Sequence, residues 1–167
     1  GEPLRLGIPG EGVAIPGLSF LSAPDRHPML GRRVAVIGGG AVAADCAETA
    51  VRRGAARVEM LALESLAELP LTPRELRGLM NAGVHLSGRT RVTGILVCDG
   101  LVIGLDTCKV QLPDGMPFHP RHVKNVPGTE QARPDLDTVV VAIGARPALR
   151  PTASPGVFLA GDLAKLP

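Results

Sequence analysis

The sequence has almost no aromatic side chains. Three phenylalanines and neither tryptophan nor tyrosine occur among its 167 residues, so the hydrophobic core must be aliphatic. Proteins that bind single-stranded nucleic acid stack bases on aromatic side chains. The 18 basic and 16 acidic residues are interspersed, so no basic stripe is present to follow a phosphate backbone. A nucleic-acid partner is therefore not expected.

Long apolar runs and paired cysteines are also missing. No run approaches the ~18 apolar residues of a membrane-spanning helix, so no membrane partner is expected. Cys46, Cys98 and Cys108 form no C-x-x-C pair, which argues against a redox disulfide, a zinc site or an iron–sulfur cluster in this chain. We expect reduced thiols in a cytoplasmic protein, with Cys46 packed as a small buried hydrophobic residue.

A glycine-rich turn lies between a predicted strand and a predicted helix. The strand is VAVI at residues 34–37, and the helix runs over residues 41–53. Between them, GGGAVA matches the pattern G-x-G-x-x-A. In that pattern the first glycine (Gly38) permits a tight turn and the second (Gly40) lets a pyrophosphate approach the backbone, while Ala43 lets the helix pack closely.

The start of that helix completes a predicted dinucleotide site. The backbone N–H groups at Ala41 and Val42 are among those that a helix N-terminus offers to phosphate. Two alternatives remain open: a glycine-rich turn that binds no ligand, and a nucleotide site of the methyltransferase type. The strand–turn–helix–strand context favours the dinucleotide.

The end of the next strand bears on the choice between NAD and NADP. Glu64, in VEMLALES, lies slightly beyond the usual position of the acid that accepts the hydroxyl groups of the adenosine ribose. We expect Glu59 to be exposed at the start of the strand. Because positions 63 and 64 carry no basic residue, the sequence favours NAD. Arg57, Arg74 and Arg89 could still supply charge for a 2′-phosphate from neighbouring loops.

The remaining patterns predict a mixed fold. A strand over residues 58–63, a helix that opens with the capping box TPRE and ends near residue 82, and a strand from residue 84 continue the β-α-β order of a doubly wound sheet. Two apolar runs around Asp99–Gly100 then predict a β-meander over residues 91–112. We therefore expect the α/β class: a Rossmann-like three-layer nucleotide-binding domain with a parallel sheet and a β-meander in place of one crossover helix.

Three further segments complete the prediction. Residues 1–31 indicate an extended segment with a short helical turn near residues 18–22. Residues 113–135 predict a loop with a strand near 123–126, and DTVVVAIGARP and GVFLAGD each predict a strand. His119 and His122 have no carboxylate or thiol beside them, so we expect a solvated loop and no metal. Arg146 either meets a phosphate or caps a strand.

These motifs together carry a family resemblance. The glycine turn, DCAETAVRRGA and the pair VVVAIGARP and GVFLAGD resemble the pyridine-nucleotide domain of the glutamate synthase small-subunit family, within the pyridine nucleotide-disulfide oxidoreductase superfamily. The resemblance implies hydride transfer from NAD(P)H to FAD, followed by electron transfer to an iron–sulfur domain or subunit. Hydride transfer depends mainly on the relative position of the nicotinamide and flavin rings and not on proton transfer by the protein. No catalytic acid or base is therefore expected.

The resemblance also assigns residues. It implies that Gly38, Gly40 and Ala43 hold the pyrophosphate and that Asp45 lies on the nicotinamide side. It further implies that the nicotinamide mononucleotide half is flanked by Ala142, Ile143 and Gly144, and that FAD is contacted by Gly161 and Asp162.

The sequence departs from the family pattern in one respect, which is the number of glycine-rich turns. Only one G-x-G-x-x-[GA] turn occurs, so FAD is expected only in the intact protein and this chain alone is not expected to turn over. We expect residues 1–31 to lead in from the FAD domain of the same polypeptide, residues 32–147 to form the NAD(P)H-binding domain, and residues 148–167 to return toward the FAD domain. The alternative is a non-catalytic, nucleotide-responsive interaction module of a larger complex.

Overall fold

The computed structural model describes residues 2–146. The three α-helices of these residues are α1 (Gly17–Ser22), α2 (Ala41–Arg52) and α3 (Pro73–Asn81). In chain order the strands are β1 (Glu2–Pro3), β2 (Ile15–Pro16), β3 (Arg33–Ile37), β4 (Arg57–Leu61), β5 (His85–Ser87), β6 (Thr90–Cys98), β7 (Leu101–Gln111), β8 (Lys124–Asn125), β9 (Gln131–Arg133), β10 (Thr138–Val141) and β11 (Ala145–Arg146). The strand predicted from GVFLAGD, with Gly161 and Asp162, lies outside the described residues.

A parallel sheet forms the centre of the fold. Its five strands follow the order β2-β10-β3-β4-β5, and every neighbouring pair is parallel. The apolar run of β3 is buried on both faces of this sheet, as parallel strands require. β2, which joins the edge of the sheet, lies in the segment that the sequence predicted to be extended, although its pairing with β10 was not predicted.

The helices cover one face of the parallel sheet. Small side chains of α2 pack against β3 and β4, and Phe20 from α1 is fully buried beside them. α3 opens with the predicted capping box, in which the side chains of Thr72 and Glu75 each bond the other's backbone. Cys46 is buried as predicted. Its burial, and to a lesser extent the nearby negative charge of Asp45, raise the pKa of its thiol to about 12.

An antiparallel sheet covers the other face. β6 and β7 form a long hairpin, and its turn has left-handed backbone at Asp99 (φ 50°) and Gly100 (φ 74°), as a tight hairpin turn requires. Val92 and Leu105 of this hairpin pack against Ala35 of the parallel sheet. The predicted three-layer arrangement with a β-meander is therefore confirmed.

One expectation about β4 was wrong. Glu59 was expected to be exposed, but only 3% of its surface is accessible. It lies beside Ala35 in the strand register and faces the antiparallel sheet, where Arg133 of β9 donates to both carboxylate oxygens at 3.2 and 2.6 Å. A strand that is covered on both faces can bury a charged residue only when an opposite charge meets it.

Within residues 2–146, no helix has both the length and the apolar character needed to cross a membrane.

Candidate functional site

A cavity of about 580 Å³ opens where strands β3, β4 and β10 end. The carboxyl ends of the strands are where open α/β sheets bind ligands. Its floor is the glycine turn, and the residues that follow β4 and β10 form two sides. Of the predicted site residues, those that line it are Gly38, Gly40, Ala41, Val42, Glu64, Ala142, Ile143 and Gly144.

The three consecutive glycines have different surroundings. At Gly38 (φ 140°) an added Cβ would lie 2.3 Å from the carbonyl oxygen of Ala142, so this residue allows the turn to pack against β10. At Gly39 an added Cβ would lie 2.9 Å from a carboxylate oxygen of Glu64. At Gly40 nothing lies within 4 Å. Only Gly40 therefore has open space where its side chain would be.

The N-terminus of α2 faces this open space. Gly40 is its N-cap and no side chain caps it, while Ala41 and Val42 line the cavity. The first backbone N–H groups of a helix have no partner within the helix and carry partial positive charge. The arrangement suits an anion such as a pyrophosphate.

Two predicted residues of α2 do not reach the cavity. Ala43 is fully buried and lies 3.3 Å from the position of a Cβ on Gly38, so its small size permits the close packing of helix and turn. Asp45 is exposed and does not belong to the residues that line the cavity. Asp45 therefore does not line this cavity, and its place on the nicotinamide side stays a prediction.

Glu64 is held by the segment that follows β5. Its backbone oxygen accepts the N–H of Arg89 at 2.9 Å. The Arg89 side chain donates to the carbonyl oxygen of Leu63 at 3.1 Å and to Glu68 at 2.8 Å. Arg89 has a left-handed backbone (φ 48°), which is uncommon for a residue with a side chain. Arg89 therefore holds the loop that carries Glu64.

Sequence reasoning missed one whole wall of the cavity. Leu4, Arg5, Leu6 and Ile8 line it, and the N–H of Leu4 donates to the carbonyl oxygen of Gly144 at 3.1 Å. The period-two alternation of apolar residues in LRLGI was the available signal, since alternation indicates an extended segment with one buried face.

A glutamate fixes the shape of that wall. Glu11 accepts the backbone N–H of Leu6 at 2.6 Å and of Gly7 at 2.9 Å. The same segment is also bonded to the β6–β7 hairpin, because the N–H of Ile95 donates to the carbonyl oxygen of Pro9 at 2.8 Å. The extended segment is therefore bound to the antiparallel sheet.

The three arginines considered for a 2′-phosphate are placed elsewhere or already paired. Arg57 pairs with Glu59 and Asp135, both at 3.2 Å. Arg89 pairs with Glu68, and Arg74 lies exposed in α3, away from the cavity-lining residues. Two other arginines, Arg5 and Arg91, do line the cavity.

The histidine pair in the loop has local partners. The rings of His119 and His122 lie 5.3 Å apart, and Nδ1 of His119 accepts the backbone N–H of Arg121 at 3.1 Å. In the part of the chain that the structure describes, no group of three His, Cys, Asp or Glu residues is placed to hold a metal ion.

Comparisons with known proteins bear on this site. A family model described as pyridine nucleotide-disulphide oxidoreductase matches residues 1–162. The NADP(+)-dependent formate dehydrogenase subunit beta of Moorella thermoacetica is 35% identical over 95% of this chain and 26% of its own length. The glutamate synthase [NADPH] small chain of Escherichia coli is 32% identical over 71% of this chain and 25% of its own length.

The fold has solved counterparts. A thioredoxin reductase of Lactococcus lactis matches with a TM-score of 0.63 at 16% identity, over 88% of this chain and 43% of the matched chain. A thioredoxin reductase of T. acidophilum matches with a TM-score of 0.61 at 19% identity, over 87% of this chain and 42% of the other. At these identities the likeness concerns the fold alone.

Proposed function

The chain belongs to the pyridine nucleotide-disulphide oxidoreductase family, and from that premise we propose that it binds NAD(P)H and presents the nicotinamide to a flavin. The observation that carries the proposal is the uncapped N-terminus of α2, which faces an open cavity above Gly40. An anion-binding helix end at the carboxyl edge of a parallel sheet is the arrangement used for a dinucleotide pyrophosphate.

Each part of the nucleotide has a counterpart in the cavity. The N–H groups at the start of α2 would receive the pyrophosphate, and Glu64 would accept ribose hydroxyl groups. Ala142, Ile143 and Gly144 would flank the nicotinamide half. A reduced nicotinamide supplies a hydride, and no acid or base is needed from the protein for that transfer. The residues of this chain therefore bind and orient the donor.

The wider assembly belongs to the same proposal. The chain spans 26% and 25% of the lengths of the two relatives named above, so the activity of the whole protein is part of the proposal. We propose that FAD binds in the intact protein and that electrons leave to an iron–sulfur domain or subunit. The three segments 1–31, 32–147 and 148–167 and a cytoplasmic location remain proposals of the same kind.

The coenzyme preference rests on opposing indications. Glu64 lies over Gly39, where a carboxylate favours an unphosphorylated ribose. The relatives named above carry NADP(+) or NADPH in their names, which points away from the NAD preference expected from the sequence. We propose that the site accepts both coenzymes and that Glu64 is the group that favours NADH.

The test is calorimetric titration of the purified protein with NADH and with NADPH. Wild type should bind both. Glu64→Gln should weaken NADH binding several-fold, because charged hydrogen bonds to the ribose are lost. The same substitution should strengthen NADPH binding. Asp45→Asn, which removes an exposed carboxylate on the adjoining helix, should leave both affinities unchanged. Binding of neither nucleotide by wild type would overturn the proposal.

A further inference from the structure

We infer that Arg91 is a specificity-determining residue that receives the 2′-phosphate of NADP(H). The inference rests on the proposed nucleotide site and names a recognition group within it. It starts from the loop that follows β4, which spans residues 62–68 and contains no basic residue. A 2′-phosphate at this end of the cavity must therefore find its cation on another element.

The other arginines near this end are already neutralised. Arg89 reaches the loop, but its guanidinium is paired with Glu68 at 2.8 Å and bonded to Leu63. Arg133 is paired with Glu59 and Asp135 and does not line the cavity. A guanidinium that is paired with a carboxylate in this way attracts a phosphate less strongly, since the field of its charge is cancelled nearby.

Arg91 lines the cavity next to the end of β4. The backbone N–H of the preceding residue, Thr90, donates to the carbonyl oxygen of Ala62 at 2.9 Å. Thr90 and Arg91 thus enter the same wall as Leu63 and Glu64. This wall lies beyond the carboxyl end of β4, the second strand of the β3-α2-β4 unit. A dinucleotide places its adenosine ribose at that position.

The Arg91 side chain is held in place by neutral groups. Its guanidinium donates to Oδ1 of Asn125 and, at 3.3 Å, to the carbonyl oxygen of Val123. Among residues 2–146 no carboxylate lies within 4.0 Å of it. A guanidinium has five N–H donors, so most remain for a ligand. The group is therefore positioned in advance without being neutralised.

Lys109, the basic residue on the neighbouring strand β7, lies on the opposite face of the hairpin from the Arg91 side chain. It lies opposite Thr90 in the hairpin register, and its Nζ donates to the Thr90 hydroxyl at 3.0 Å. Within the described residues it forms no ion pair. Lys109 does not line the cavity, so a phosphate dianion there would meet Arg91. Glu64, on the loop after β4, opposes Arg91, so the preference between the coenzymes depends on the balance of these two charges.

The experiment compares NADP⁺ with NAD⁺, measured by calorimetry on wild type, Arg91→Met and Arg91→Lys. Arg91→Met should weaken NADP⁺ binding by about tenfold or more, because a charge-assisted and often bidentate contact is lost. NAD⁺ binding should change less than about twofold, which also reports that the variant is folded. Arg91→Lys should bind NADP⁺ with an affinity between those of wild type and Arg91→Met, since the positive charge is kept and the planar guanidinium is lost. The three proteins should show the same order of affinity for the fragment 2′,5′-ADP, which carries the 2′-phosphate, whereas their affinities for ADP, which lacks it, should be similar.

A matched control and a salt series separate this role from a general effect of charge. Arg5→Met removes the cavity's other arginine, on the wall next to Gly144, and should change both affinities by the same factor. In Arg91→Met, NADP⁺ binding should also depend less steeply on salt. Equal losses for NAD⁺ and NADP⁺ in Arg91→Met, or no loss for NADP⁺, would overturn the assignment. If wild type binds neither nucleotide, the proposed function itself fails.

Discussion

At the scale of single residues, two glycines that are separated by one position in the sequence differ in what surrounds them. Gly38 has the carbonyl oxygen of Ala142 where a side chain would be, whereas Gly40 has no atom within 4 Å. Gly38 therefore lacks a side chain because the fold leaves no room for one. Gly40 lacks one because, on our proposal, a ligand takes that room.

This difference predicts opposite outcomes for the same substitution. Gly38→Ala should lower the free energy of unfolding by about 1–3 kcal/mol, since its φ of 140° is strained for alanine and its methyl group would collide with backbone. Gly40→Ala should change stability by less than about 1 kcal/mol but weaken nucleotide binding strongly.

Thermal unfolding and calorimetric titration check the two glycine variants side by side. The interpretation would be wrong if Gly40→Ala bound nucleotide as wild type does, because the space above Gly40 would then have no part in binding.

At the scale of elements, a buried ion network joins the parallel sheet to the antiparallel one. Burial opposes the ionisation of Glu59, but hydrogen bonds from Arg133 and Ser87 outweigh it and keep the pKa of this carboxyl below its usual value. A hydrogen bond from Arg133 is also the main reason why the pKa of Asp135 is lowered. Both carboxylates therefore stabilise the fold only while ionised.

The sign of the pH dependence follows from these lowered pKa values. A carboxyl whose pKa is lower in the folded state stabilises the fold above its unfolded pKa, about 4, and this contribution is lost as the pH falls through the folded value. The free energy of unfolding should therefore fall as the pH drops below about 5. Glu59→Gln should cost about 3 kcal/mol at pH 7, because Arg133 loses its buried partner, and should make the decline shallower.

Chemical denaturation at a series of pH values measures both effects. Glu130→Gln provides the control, since Glu130 is exposed and lies outside the network. An unchanged pH profile in Glu59→Gln would show that Glu59 does not couple the two sheets.

At the scale of the whole molecule, local patterns were predictable from sequence and long-range contacts were not. The glycine turn, the Thr72–Glu75 capping box and the Asp99–Gly100 turn each depend on neighbouring residues, so their chemistry is visible in the sequence. The burial of Glu59 depends on Arg133, which is 74 positions away. The cavity wall at Leu4 likewise depends on Gly144. The alternation in LRLGI indicates an extended segment with one buried face, but it does not indicate which distant segment that face meets.

The intact protein offers a test at the same scale. If this chain presents nicotinamide to a flavin, the full-length protein should show bleaching of its flavin absorbance when mixed anaerobically with NADPH or NADH. Gly40→Ala should slow the bleaching at a given nucleotide concentration. With no tryptophan or tyrosine in these 167 residues, this part of the protein contributes little absorbance near 280 nm. Nucleotide binding without flavin reduction would favour the non-catalytic interaction module.

The hydrogen bond between Leu4 and Gly144 joins residues near the two ends of the described chain. A contact of such high sequence separation raises the contact order, and a high contact order slows folding. During synthesis the binding cavity therefore cannot close until Gly144 has left the ribosome. A coenzyme that binds only the closed cavity stabilises the domain as a unit by mass action, so saturation with nucleotide in the cell would protect the newly made protein from proteolysis.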